Sequence, residues 1–223
     1  TDLAVGAYNY TTGTGRAYLF YNGFIITENA SGADIIIIGE AAASSFFGYC
    51  LTSGDFNADG KIDLIVGAHN YSSGTGRVYL YETRDNFVWQ LQPQSSLSGS
   101  LRTNPSFSGQ ELKMTGEVGT SLFGVSMTSG DWNADGKTDL AVGASGYSTN
   151  TGRAYIFYSD GHLAAAATNA DVIITGETTS NYFATALVSG DFNFDGKTDL
   201  AVGAYGYSTN TGRTYLFYND GSP

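Results

Sequence analysis

Short apolar runs recur along the chain, separated by turns rich in Gly, Asn, Ser and Thr. The pattern is periodic: Val-Gly-Ala triplets begin at 5, 66, 142 and 202, spaced 61, 76 and 60 residues apart. A period of tens of residues signals solenoids, propellers or arrays. Each full unit predicts four strands. In the second unit these are Phe47 to Ser53, Ile62 to Ala68, Arg77 to Tyr81 and Glu111 to Glu117. The last corresponds to Asp34-Ile-Ile-Ile-Ile-Gly-Glu40 and Asp171-Val-Ile-Ile-Thr-Gly-Glu177. Four antiparallel strands per radial repeat form the blade of an all-β propeller.

The phase sets the units at about 1-40 (first strand missing), 47-117, 123-177 and 183-220 (fourth strand missing). That makes three, four, four and three strands, about three and a half blades in a single propeller segment. The long middle interval holds an insert, about 84-110, rich in Ser, Asn and Gln and carrying Trp89. It breaks the repeat, so a specific role and an idle surface loop both fit it. Open first and last blades leave unpaired strand edges, which proteins normally cover. More chain, or another copy, is expected to complete the assembly.

Between the first and second strands lies a nine-residue acidic loop, spelled three times from Asp55, Asp131 and Asp191. A hard divalent cation needs six to eight oxygens held close together. Loop positions 1, 3, 5 and 9 offer them: Asp55, Asn57, Asp59 and Asp63; Asp131, Asn133, Asp135 and Asp139; Asp191, Asn193, Asp195 and Asp199. The carbonyls of Lys61, Lys137 and Lys197 at position 7 are natural extra ligands. Gly60, Gly136 and Gly196 follow the third ligand, where the chain must turn sharply. Three carboxylates per loop repel one another unless a cation sits among them. Three Ca2+ sites are expected, ahead of Mg2+. An EF-hand shares the early spacing but requires Glu at position 12 and flanking helices. Here position 12 is Val66, Val142 or Val202, within apolar runs suited to strands.

Phe47-Gly48 and Phe123-Gly124 open their units, and Gly67-Ala68, Gly143-Ala144 and Gly203-Ala204 close the second strand. Together with the acidic loop, these residues resemble FG-GAP repeats, the blades of the integrin alpha-subunit propeller. The likeness covers nearly the whole chain. It departs at Phe183-Ala184, which replaces Phe-Gly, and after Gly-Ala, where Tyr8, His69, Ser145 and Tyr205 replace the usual proline. The resemblance implies a propeller usually of seven blades, a non-enzymatic binding or adhesion role, an extracellular or cell-surface setting, and ligands docking at the end opposite the acidic loops.

At that end Tyr10, Tyr71, Tyr147 and Tyr207 align, each followed by Arg16, Arg77, Arg153 or Arg213. Exposed tyrosines with small polar neighbours suit protein or sugar surfaces. Equally, the tyrosines fit packing between blades and the arginines fit bonding to a carbonyl or to a Gly-Glu acid. Phe56, Trp132 and Phe192 at loop position 2 are expected to pack beneath the loop or against the next blade.

Composition narrows the partners. The formal charge is −11, but nine of the 21 acidic residues are proposed ligands, and three bound dications would leave about −5. No Lys/Arg-rich stripe exists to neutralise phosphates, which argues against nucleic acid. No apolar span of about 20 residues is present, so no membrane insertion by this segment is expected. Cys50 is the only cysteine, which precludes an intrachain disulfide and suits a small packing position. Sequons at Asn9, Asn29 and Asn70 are candidate glycosylation sites. The two histidines, His69 and His162, have no nucleophile or carboxylate at a repeating spacing, and no catalytic motif appears. Four functions remain: a propeller that binds a protein or glycan ligand for adhesion, a component that assembles with further copies of itself, a lectin, and the non-catalytic propeller of a larger enzyme.

Overall fold

The computed structural model describes residues 2–21, 29–40, 44–83 and 112–220. The insert at 84–110 lies outside them. The described chain is all-β, with four separate sheets of antiparallel strands. The first holds β1 (Leu3–Ala7), β2 (Arg16–Phe20) and β3 (Ile35–Ile38). The second holds β4 (Leu51–Gly54), β5 (Asp63–Ala68), β6 (Arg77–Tyr81) and β7 (Leu112–Thr115). The third holds β8 (Phe123–Gly130), β9 (Asp139–Ala144), β10 (Arg153–Phe157) and β11 (Val172–Thr175). The fourth holds β12 (Phe183–Gly190), β13 (Asp199–Ala204) and β14 (Arg213–Phe217). Each sheet is a meander whose neighbours in space are neighbours in sequence. This is the three, four, four, three arrangement of an open propeller segment.

The apolar strands read as continuous runs because both faces are covered. Every residue of β5 and β9 is buried. Leu64, Val66 and Ala68 face the first sheet, in one core with Ala17, Ile35 and Ile37. Ile65, Val78, Leu80 and Met114 face the third sheet, packing with Leu140, Val142 and Phe157. Ala141, Ala154 and Ile156 repeat this against Leu200 and Val202 of the fourth sheet. The core is thus a set of seams between sheets.

Two features make the seams tight. The Val-Gly-Ala glycine lies flat on the next sheet: a Cβ on Gly67 would fall 2.3 Å from the Gly124 carbonyl oxygen, and one on Gly143 2.2 Å from that of Ala184. The second residue of Phe-Gly bends the strand through a left-handed backbone, with φ of 84° at Gly48 and 86° at Gly124. Ala184 adopts φ 63° and is fully buried. The departure from Phe-Gly therefore keeps the bend at the steric cost of a Cβ. The bend accompanies the register shift that β8 and β12 each carry after the phenylalanine; in the second sheet, where the N–H groups of Gly48 and Tyr49 both turn to the Gly67 carbonyl, β4 begins only at Leu51 and not at Phe47.

Candidate metal loops and the opposite loop face

The acidic loops join β4 to β5, β8 to β9 and β12 to β13, at the end where Gly54 pairs with Asp63, Gly130 with Asp139 and Gly190 with Asp199. One hydrogen-bond scheme shapes all three. Asp55 Oδ1 accepts the Asp59 N–H at 3.0 Å and Oδ2 accepts the Gly60 N–H at 2.8 Å. Asn57 Oδ1 also accepts from Asp59 N–H at 3.0 Å, and Asp59 Oδ1 accepts from Lys61 N–H at 2.9 Å. Asp131, Asn133 and Asp135 repeat these bonds, as do Asp191, Asn193 and Asp195. Gly60, Gly136 and Gly196 take φ of 83–84°, the turn that the spacing required.

The ninth residue differs from the others. Asp63, Asp139 and Asp199 are buried, at 1%, 0% and 0% exposure, whereas Asp59 and Asp135 are open to solvent. Each buried acid bridges two elements: Asp139 Oδ2 accepts the Trp132 N–H of the loop, and Oδ1 accepts the Ser159 N–H just past β10, both at 2.9 Å. Asp63 does the same with Phe56 and Thr83, and Asp199 with Phe192 and Asn219. Burial pushes the Asp63 carboxyl up to about 6, with the Asp59 and Glu82 charges adding and the two N–H donors opposing. Burial raises Asp139 likewise.

The donor set suits a hard cation in chemistry: three carboxylates, an amide oxygen and a carbonyl in each loop, with no nitrogen or sulfur among them. Each carboxylate oxygen that accepts an N–H keeps a second lone pair. Among the described residues, however, no three acidic side chains converge as they stand. Lys61 and Lys137 Nζ lie 3.8 and 3.7 Å from Asp59 and Asp135 Oδ2, partly offsetting the charge.

The second loop residue packs as expected in two of the three loops, while Phe192 is 39% exposed. Phe56 is fully buried against the third sheet, and Ser159 Oγ donates to its carbonyl at 2.6 Å. Trp132 packs on the fourth sheet.

At the other end, Tyr10, Tyr71, Tyr147 and Tyr207 begin a tight helical turn containing two consecutive left-handed residues, such as Ser148 and Thr149. Each ring carries a guanidinium on its face, with Arg16, Arg77, Arg153 and Arg213 at 3.6, 3.8, 3.7 and 3.6 Å from the centroids. Three of those arginines reach a Gly-Glu acid of the preceding sheet: Arg77 to Glu40 at 3.2 Å, Arg153 to Glu117 at 3.0 Å and Arg213 to Glu177 at 3.0 Å. This makes a Tyr-Arg-Glu latch across the seams.

The same end holds aromatics that do not repeat. Tyr8 meets Phe46 and Tyr49 edge-on, at 5.8 and 5.1 Å between centroids, and His69 packs on Tyr49 at 4.2 Å. Tyr8 and Tyr49 are exposed, while the His69 Nδ1 is buried without a hydrogen-bond partner. On the last seam Tyr182 and Tyr205 stack at 4.7 Å. Sequence reasoning flagged Tyr8, His69 and Tyr205 only as departures from proline and missed their partners. The signal was their variation between copies. Cys50 packs at the edge of the second seam, where burial raises its thiol pKa. Of the sequons, Asn9 is exposed, Asn70 Nδ2 donates to the Ser44 carbonyl at 2.7 Å, and Asn29 Oδ1 accepts from Ser31 N–H at 3.1 Å.

Comparison with known proteins agrees with this repeat. The FG-GAP repeat profile matches residues 47–81, 123–157 and 183–217. The chain is an FG-GAP repeat protein. It is 28% identical to integrin alpha-5 of Xenopus laevis over 191 residues, covering 80% of this chain and 16% of that protein. It is 34% identical to mouse integrin alpha-M over 173 residues, covering 73% and 13%. It is 38% identical to mouse phosphatidylinositol-glycan-specific phospholipase D over 135 residues, covering 55% and 16%. The chain therefore spans a small fraction of the length of these relatives. Each matched FG-GAP segment runs from the phenylalanine through the acidic loop to the end of the third strand, which is the unit that carries both the loop and the latch arginine.

Proposed function

We propose that this FG-GAP segment is a calcium-stabilised, extracellular or cell-surface propeller module that binds a protein ligand through the loop face opposite its acidic loops. The observation that carries this reading is the exposed cluster of Tyr8 and Tyr49 over Phe46 and His69. Large amphipathic rings on a rigid scaffold are the usual anchors of protein recognition. The helical-turn tyrosines Tyr10, Tyr71, Tyr147 and Tyr207 rim that face and have ring faces committed to arginine, so in this reading they frame the site. Similarity to integrin alpha subunits supports an adhesion-type role and a cell-surface setting. Ca2+ at the three loops would hold the far ends of the hairpins, with the Lys61, Lys137 and Lys197 carbonyls completing each set. No helix among the described residues is long and apolar enough to cross a membrane.

A printed array of extracellular-matrix proteins and glycans, probed with the chain in millimolar calcium, tests this. Binding to protein spots that disappears in a Tyr8→Ala, Tyr49→Ala double variant is expected. Binding confined to glycan spots would replace this reading with a lectin, and no binding by the parent chain would remove it. The similarity to phosphatidylinositol-glycan-specific phospholipase D favours a second reading, a propeller carried by an enzyme whose catalytic part lies elsewhere.

A further inference from the structure

The acidic loops of the second and third sheets are joined across the seam between those sheets. Ser159, just past β10, has one group in each loop. Its N–H donates to Oδ1 of Asp139, the ninth residue of the third sheet's loop, at 2.9 Å. Its Oγ donates at 2.6 Å to the carbonyl of Phe56, which stands between Asp55 and Asn57 in the second sheet's loop. The Phe56 N–H donates in turn to Oδ2 of Asp63, the ninth residue of that loop, at 3.2 Å. An unbroken path therefore runs from Asp63 through Phe56 and Ser159 to Asp139. Ser159, Phe56 and Asp139 are all fully buried, so these bonds are shielded from water and each polarises the next. Two further contacts join the same loops. Thr138, just before Asp139, abuts Gly54, just before Asp55: a Cβ on Gly54 would fall 2.5 Å from the Thr138 methyl. Ser129 Oγ donates to the Ser53 carbonyl at 2.9 Å, and each of those serines lies two residues before its loop.

We propose that Ser159 is a positioning residue shared by the Asp55 and Asp131 loops, and that through it the two loops bind calcium with positive cooperativity. The inference rests on the calcium reading of the loops. A cation held by Asp55 and Asn57 would fix Phe56 between them, and with it the carbonyl that takes the Ser159 hydroxyl. Fixing Ser159 fixes the N–H that holds Asp139, a proposed ligand of the neighbouring cation. The entropy of ordering this shared path is lost once for both loops, so the second ion binds more tightly than it would alone. Linkage makes the effect equal in the two directions.

Calcium titrations of the isotope-labelled chain, followed by NMR, test this. The Gly60 and Gly136 N–H groups each donate to the first aspartate of their own loop, so their amide resonances report the two loops separately. Asp135→Asn, which cripples the Asp131 loop, should raise the calcium midpoint at Gly60 about fivefold, and Asp59→Asn should raise that at Gly136 by the same factor. Ser159→Ala removes the hydroxyl and keeps the N–H to Asp139; in that background both cross-effects should disappear. Ser159→Cys, with its weak S–H donor, replaces the alanine variant if the latter does not fold. A serine that merely held the seam together would lower the melting temperature on replacement and leave the cross-effects as they were, which overturns the proposal. Cross-effects missing from the parent chain overturn it as well. If neither glycine responds to calcium in the parent, the calcium reading itself fails and the coupling falls with it.

Discussion

Arg153 and Glu117 close the seam between the second and third sheets, with Nη1 and Oε2 3.0 Å apart and the side chains only 21% and 15% exposed. The arginine lies on Tyr147 and donates through Nε to Thr175 Oγ1 at 2.9 Å, so its fork is held before the acid arrives. Glu117→Gln should destabilise the chain by about 1–2 kcal/mol, above the usual value for a surface pair because the partners are pre-oriented and partly desolvated. Glu177→Gln, whose pair with Arg213 is far more exposed, should cost less. Urea titrations of both variants compare them directly.

The glycine contacts predict a second contrast. Gly143→Ala places a methyl 2.2 Å from both the Ala184 carbonyl oxygen and Ser126 Oγ, and should cost more than about 2 kcal/mol by overpacking. Gly203→Ala, at the same place in the next repeat, meets nothing closer than 3.4 Å. It should be nearly neutral by thermal melting.

For the acidic loops, removal of calcium with EDTA should lower the melting temperature, and calcium should restore it. Extracellular modules bind at about 0.1 to 1 mM, so in roughly millimolar calcium each site would add about 0.4 to 1.4 kcal/mol. No shift, with no calcium found by metal analysis, would end the metal reading.

Asp139 and Asp135 separate the architectural from the ion-binding parts of one loop. Asp139→Asn removes one acceptor oxygen from a fully buried bridge, which should cost about 1–3 kcal/mol even in EDTA. Asp135→Asn, on the exposed side, should weaken the calcium-induced stabilisation and leave the EDTA-treated chain little changed. Equal effects of both variants in EDTA would contradict this division.

His69 makes stability depend on pH. Burial holds its pKa down to about 4, below the unfolded value of about 6.5. The unfolded chain then binds more protons between those values, so the stability from neutral His69 is complete above about pH 6.5 and is lost as pH falls toward 4. His69→Ser, which copies Ser145 of the next repeat, should flatten that limb of the stability curve measured in saturating calcium.

Much of the fold was legible because the repeat supplied internal controls. Arg77–Tyr81 was bounded from sequence as it is observed, since apolar alternation and a flanking glycine turn mark both ends. The sequence places the start of the first strand of the second sheet at Phe47, four residues before β4 begins, because the turn of the Gly48 and Tyr49 N–H groups onto the one Gly67 carbonyl is a backbone property that the sequence does not spell. Asp34 and Asp171 read as strand residues but instead accept the N–H groups of Tyr21 and Tyr158 just before the fourth strands. For the acidic loops, the sharp turn at the glycine was legible; the burial of Asp63 was not, because its second donor, Thr83, lies 20 residues away. The cluster around His69 was illegible for the same reason, since Tyr8 and Tyr49 meet only once two sheets are packed.

The flat contact of Gly67 on Gly124 and of Gly143 on Ala184 has a historical consequence. Because successive seams are built from the same backbone-to-backbone approach, a duplicated unit arrives already fitted to both of its neighbours. The gene can therefore lengthen or shorten by whole repeats without inventing a new joint.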